Sequence, residues 1–272
     1  MATLNGIVRF SGKVGDLIFY RSGKKDVVRR KSGTHQLSEN SKKSAKDFGE
    51  ASRNAAYIRK AFAPMVKDYG YGDLASRLTK RLTSVFKTIP NSTAGSKKLL
   101  EGNLKLIEGF EFNADTRLDR LLIRQPKVSW LPDGLIELEL PKIEMKHLVK
   151  TVIQADAFVM QVMVFNWNVH DGDYEILKVN DLKVAFSQVH FPGAKLHVPV
   201  VQQGDRIVLL AIGICYLQDQ FRKEDRRYFA CQISHCYHIK DGVEVVFVEP
   251  IKEKVVPIEE AQSGLSWELG AL

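Results

Sequence analysis

The chain has 272 residues, 44% hydrophobic and 26% charged, the proportions of a globular protein with length for one large or two modest domains. No apolar run approaches the ~20 residues of a membrane helix, and the opening MATLNGIVRFSG has no secretory apolar core, so the expected location is the cytoplasm, or a particle assembled there. Three cysteines (Cys215, Cys231, Cys236) are an odd number set late in the chain and give no disulfide framework.

The net charge of +8 is unevenly spread. Residues 1–100 carry 21 Lys+Arg against 7 Asp+Glu, whereas residues 101–272 carry 19 against 25. A basic front suits a polyanion. It suits equally the acidic back of another copy, in a head-to-tail assembly. A plain solvated basic surface is the third reading.

The most patterned stretch is Gly6 to Gly33. Leu17–Tyr20 and the DVVRRK run flank the polar Arg21-Ser22-Gly23-Lys24-Lys25, which predicts a β-hairpin pairing 17–21 with 26–30. Gly12 and Gly15 allow a tight turn or a close backbone approach. They do not make a phosphate loop, because the G-x-x-x-x-G-K-[ST] spacing is missing and a strand follows, not a helix. Arg9, Lys13, Arg21, Lys24, Lys25, Arg29, Arg30 and Lys31 decorate this unit, interleaved with Phe10, Phe19 and Tyr20. Such a mixture offers cations to phosphates and rings to bases, or the rings pack on helices instead. A lone hairpin is marginal in water and needs a surface to lie on.

After a polar linker at 32–41, Asn40 or Ser41 is the expected cap of a helix running to about Ala63. Its stripe is Ala45, Phe48, Ala51, Ala55, Ile58 and Phe62, and Pro64 ends or kinks it. Tyr69-Gly70-Tyr71-Gly72 reads as a turn and Asp73 as the cap of a second helix, with Leu74, Leu78, Leu82, Val85 and Phe86 inward. A third helix is expected at about 94–108, with Leu99, Leu100, Leu104 and Ile107 as its stripe.

From about residue 110 the texture becomes β-rich. Expected strands are 118–124, 128–130, 135–140, 157–169, 174–179, 184–188, 195–200, 206–217, 227–239 and 243–248, separated by turns such as Pro132-Asp133-Gly134 and Asp171-Gly172-Asp173. Many strands without intervening helices predict a β-sandwich. In the run 157–169, Phe158, Met160, Val162 and Val164 alternate with Val159, Met163, Phe165 and Trp167, so both faces are expected to be covered. Residues 249–272 read as a tail whose Trp267 and Leu269 are apolar enough to dock.

Cys231, His235, Cys236 and His238 look like metal ligands. On a regular strand, however, Cys231 and His235 take one face and Cys236 and His238 the other, and no C-x2-C knuckle is present. Asp171, Asp173 and Glu175 echo a calcium loop without its sixth-position Gly or closing Glu. Glu137, Glu139 and Glu144 alternate with apolar residues, as an exposed strand face does. No G-x-S-x-G elbow occurs. No catalytic, cofactor-binding or metal residue is assigned.

Ser11-Gly12-Lys13-Val14-Gly15, then Tyr20, Gly23-Lys24 and Val27-Val28-Arg29, resemble the opening of an uncharacterised domain-of-unknown-function family of Bacteroidetes bacteria. The resemblance covers about 30 residues. It implies a helical stretch and a β-rich half after the signature, and brings no catalytic residue.

The expectation is an α+β protein: a basic N-terminal β-hairpin and helical region at 1–109, an antiparallel β-sandwich, Ig-like or similar, at 110–248, and a tail at 249–272. Its expected role is non-enzymatic: assembly, as a homo-oligomer or larger complex, through docking of the basic hairpin. Nucleic-acid binding by the same front is the alternative.

Overall fold

The structure, a computed structural model, describes residues 2–3, 11–23, 25–31, 33, 36–69, 72–131, 133–152 and 154–250. Arg9, Phe10, Lys24, Gly70, Tyr71, Pro132 and the tail from 251, with Trp267 and Leu269, lie outside the described residues. The chain forms two compact units, 1–45 and 46–272.

In the first unit, β1 (Ala2–Thr3), β2 (Gly12–Val14), β3 (Leu17–Ser22) and β4 (Lys25–Arg30) make one antiparallel sheet in the order β1-β4-β3-β2. The expected hairpin is present and slightly longer, paired from Leu17 with Arg30 to Ser22 with Lys25. Gly23, at φ +61°, supplies the left-handed turn residue, and Gly15, at φ +54°, turns β2 into β3. The hairpin therefore gains a strand on each side.

Helix α1 (Glu39–Val66) starts earlier than expected. Its cap is Ser38, whose Oγ accepts from the Ser41 N–H at 3.2 Å. Pro64 lies within the last turn rather than ending the helix. Ala51, Ala55, Ile58 and Phe62 are buried as expected, but the stripe fails at its start: Ala45 is exposed and Phe48 is 56% exposed. Helix α2 (Leu74–Phe86) begins after Asp73, whose carboxylate is taken by Arg77 Nε at 2.8 Å instead of a helix N–H. The expected third helix is absent. Single 3-10 turns at Leu99–Glu101 and Leu104–Ile107 replace it, after one at Asn91–Thr93. Gly95 sits at φ +88°. Gly102 presses on α2 so closely that a Cβ would lie 2.7 Å from Val85 Cγ1. Close packing therefore overrides the helical spacing, while Leu99, Leu104 and Ile107 remain buried.

The remaining elements are β5 (Phe110–Glu111), α3 (Leu118–Leu121), β6 (Lys127–Leu131), β7 (Leu135–Leu140), β8 (Ile143–Glu144), α4 (Met145–Leu148), β9 (Ala157–Asn168), β10 (Tyr174–Lys178), β11 (Leu182–Ala185), β12 (His190–Phe191), β13 (Ala194–Pro199), β14 (Asp205–Gln218), β15 (Phe221–Arg222), β16 (Phe229–Lys240) and β17 (Val243–Glu244). The expected strand at 118–124 is instead a helical turn with a bridge from Leu122 to Val149. Leu118, Leu121 and Leu122 are buried at helical spacing, and Glu111 Oε1 holds the Leu118 N–H. The strand expected at 243–248 ends at Glu244.

The large sheet runs β10-β9-β14-β16-β17, with β11 also on β9, β15 on β14 and β5 on β16, every pair antiparallel. Its strands β9 and β14 are buried almost end to end. On one face, Val159, Met163, Phe165 and Trp167 join Ile58, Phe62, Leu78 and Leu82 in one core. On the other, Phe158, Met160, Val162 and Val164 pack with β7 and β13 in a second. There the small sheet β13-β7-β6 and the pair β12-β8 form the second layer of the sandwich. Helices thus cover the face that a plain sandwich leaves to solvent. The helices after residue 46 share a core with the sheet, so hydrophobic packing runs across position 109. Among the described residues no helix is long and apolar enough to cross a membrane.

Candidate docking surface

The basic residues singled out above divide by the pleat of the N-terminal sheet, because directly opposed residues share a face. The pairs Phe19–Val28, Leu17–Arg30, Arg21–Asp26, and Val14 with Leu17 define one face. The pairs Ile18–Arg29, Tyr20–Val27, Ser22–Lys25, and Lys13 with Ile18 define the other. On the Phe19 face, Arg21 stands opposite Asp26 and donates through Nε to the Gly23 carbonyl at 3.1 Å. Arg30 lies 4.0 Å from Asp16. These two arginines are locally compensated. The Tyr20 face carries Lys13, Lys25 and Arg29, with no carboxylate among the described strand residues of that face. There the Arg29 guanidinium sits over the Tyr20 ring, 5.6 Å from its centroid, a cation–π arrangement that leaves an aromatic and a cation side by side. Lys31 follows β4, exposed, and its N–H closes on the Asp16 carbonyl at 2.6 Å. Arg9 and Lys24 lie outside the described residues.

Both faces are only thinly covered. Val14 is 65% and Leu17 43% exposed, Ile18, Phe19 and Tyr20 are half-buried, and Val27 is the one buried side chain among the described residues from 11 to 45. Sequence reasoning grouped the cations. It missed their division between faces, which needs the strand register.

Other clusters lie in the second unit. Cys231 and Cys236 do not take opposite faces; both enter the helix-facing core. The register of β16 against β14 shifts between Leu210–His235 and Ala211–Ile233, so Ser234 is an extra residue, a β-bulge that reverses the alternation. His235 instead stacks on Tyr237, 6.1 Å between centroids, and Ser234 Oγ meets its Nδ1 at 2.8 Å. Burial pushes both thiols up and the His235 ring down from their ordinary values. Among the described residues no three His, Cys, Asp or Glu side chains gather as metal ligands.

Two arrangements had no local signal. Asp205 accepts from His238 Nε2 at 2.6 Å and lies 3.5 Å from His170 Nε2, joining the start of β14 and the end of β16 to the β9–β10 turn. Glu111 is pushed up to about 7, first by burial and against the bonds from Leu118 and Gln232. Its Oε2 is buried with no hydrogen-bond partner. Both depend on residues far apart in the chain.

No family model, curated protein or solved structure matches this chain.

Proposed function

We propose that this chain is a non-enzymatic assembly protein, working in the cytoplasm or a particle formed there, that docks on a neighbouring subunit through its N-terminal sheet. One observation carries the reading: a four-stranded sheet whose described side chains include a single buried one, Val27. Sheets of this size need a hydrophobic face against something to be stable. A partner surface supplies it, by covering a face or by adding a strand at an edge. Lys13, Lys25 and Arg29, whose face carries no carboxylate among the described strand residues, would steer that encounter toward an acidic surface, such as the acid-rich back of a second copy.

A second reading is nucleic-acid binding, favoured by Arg29 over Tyr20 on the cationic face, since stacked rings and adjacent cations suit single strands. Light-scattering mass at low and high salt, before and after nuclease, separates the two. A large species that resists nuclease supports docking between copies. A species that collapses to monomer on nuclease treatment supports the second reading, and a monomer under all four conditions overturns the first.

A further inference from the structure

Strand β10 lies at an edge of the large sheet and pairs with β9 alone among the described residues. The bonds at the two ends of this ladder fix which of its backbone groups face outward. The Asn168 N–H donates to the Asp173 carbonyl at 2.8 Å, and the Val179 N–H to the Val162 carbonyl at 3.2 Å. Between them the register is unbroken, from Tyr174 with Trp167 to Lys178 with Met163. In an antiparallel ladder, residues bonded to the neighbour alternate with residues turned away from it. Asp173, Glu175, Leu177 and Val179 therefore bond to β9. Tyr174, Ile176 and Lys178 turn three N–H and three C=O groups outward, a template for another strand.

The side chains of these three residues share one face, opposite Trp167, Phe165 and Met163. Tyr174 is 50% and Ile176 39% exposed, so the edge is apolar as well as open. Lys178 is exposed beside them, and a lysine on an edge ordinarily blocks pairing. Its position decides which pairing it blocks.

We propose that β10 pairs with β10 of a second copy, antiparallel, about a two-fold axis through Ile176. The run Tyr-Glu-Ile-Leu-Lys is self-complementary in this register. Ile176 meets its own copy, and Tyr174 meets the partner's Lys178, so each ammonium lies beside a ring. The two lysines are then offset by four residues, about 14 Å, beyond the screening length at physiological salt. The three opposed pairs use all the outward groups, and an isologous contact of this kind closes on itself. Glu175 stands on the other face, diagonal to the partner's Glu175 at roughly 7–8 Å, which keeps the pairing weak. For so small an interface the expected dissociation constant is on the order of 100 µM. The edge belongs to the second unit and makes no use of the N-terminal sheet, so the two interfaces stand or fall separately.

The test is backbone amide exchange of the full chain, followed by NMR at about 10 µM and about 1 mM. The Glu175 and Leu177 amides are protected at both concentrations. Those of Tyr174, Ile176 and Lys178 exchange freely at the lower one and about fivefold more slowly at the higher. Ile176→Lys sets two ammonium groups together on the axis and abolishes this concentration dependence. Should it fail to fold, Ile176→Pro removes the central outward N–H at a position where an edge strand tolerates proline, with the same result. Arg29→Glu, which probes the N-terminal sheet, leaves the dependence unchanged. Under mild oxidation Ile176→Cys crosslinks to its copy at least about tenfold faster than Tyr174→Cys, because only the residue on the axis faces itself. Exchange at Tyr174, Ile176 and Lys178 that does not change with concentration overturns the proposal, as does protection that survives in a folded Ile176→Lys. Equal crosslinking rates overturn the register.

Discussion

Cys231 and Cys236 point into the same helix-facing core although they stand an odd five positions apart, with four residues between them, on one strand. The bulge at Ser234 reverses the alternation between them. With Cys215, they are buried, and burial pushes all three thiols up. The thiolate is the reactive form, so the native protein is expected to resist Ellman's reagent at neutral pH, with three thiols per chain appearing on denaturation. Rapid labelling of the native chain counts against this burial.

Lys97 is buried and its Nζ donates to the Phe86 and Ile89 carbonyls at 3.1 and 2.8 Å. It donates to carbonyls just beyond the reach of the α2 ladder, of which Phe86's otherwise takes only the Ile89 N–H at 3.4 Å. Lys97→Met keeps the apolar stem, removes the Ile89 carbonyl's donor and leaves the Phe86 carbonyl only the long bond from the Ile89 N–H, 3.4 Å. Destabilisation of about 1–3 kcal/mol is expected by urea unfolding, with the denaturant slope unchanged.

Glu111 gives the fold a pH dependence of definite sign. Its folded value, about 7, lies above the ordinary 4.5, so the proton is held more tightly in the folded chain. The associated stability is present below pH 4.5 and is lost as pH rises toward 7. With solvent screening allowed for, the loss is on the order of 1 kcal/mol. Glu111→Gln is expected to flatten this part of the melting-temperature profile and to be the more stable form at pH 8. Parallel profiles for the two proteins exclude Glu111 as the source.

Arg29 and Arg30 are neighbours on opposite faces of one sheet. If the Tyr20 face meets the partner, Arg29→Glu reduces the assembled mass or raises the dissociation constant about tenfold, roughly 1.4 kcal/mol. Arg30→Glu, on the face where Asp16 and Asp26 already sit, has a much smaller effect. Equal effects from both would mean that only net charge matters.

The hairpin at 17–30, strand β7 and the two-sided burial of β9 were legible because each rests on local alternation over enough residues to fix a period. The exposed Phe48, the 3-10 turns after α2 and the helical turn at Leu118 were not. In each, a tertiary contact or the weakness of one decides: Phe48 stays 56% exposed at the start of the stripe, Gly102 fits under Val85, and Glu111 holds Leu118. The faces of Cys231 and Cys236 were misassigned because one inserted residue leaves no mark on composition. The division of the cations required a pairing register, and Glu111 a neighbour, Gln232, far along the chain.

Phe62 on α1 packs edge-on against Phe165 of β9, about a hundred residues later in synthesis. At ~5–20 residues per second, the ribosome delivers that partner roughly 5–20 s after the helix. Through that interval the apolar stripe from Ala51 to Met65 has no sheet to lie on, and β9 must wait again for β14. A nascent chain of this order spends its early life with this apolar stripe uncovered, and every slowing of translation between residues 62 and 165 lengthens that exposure.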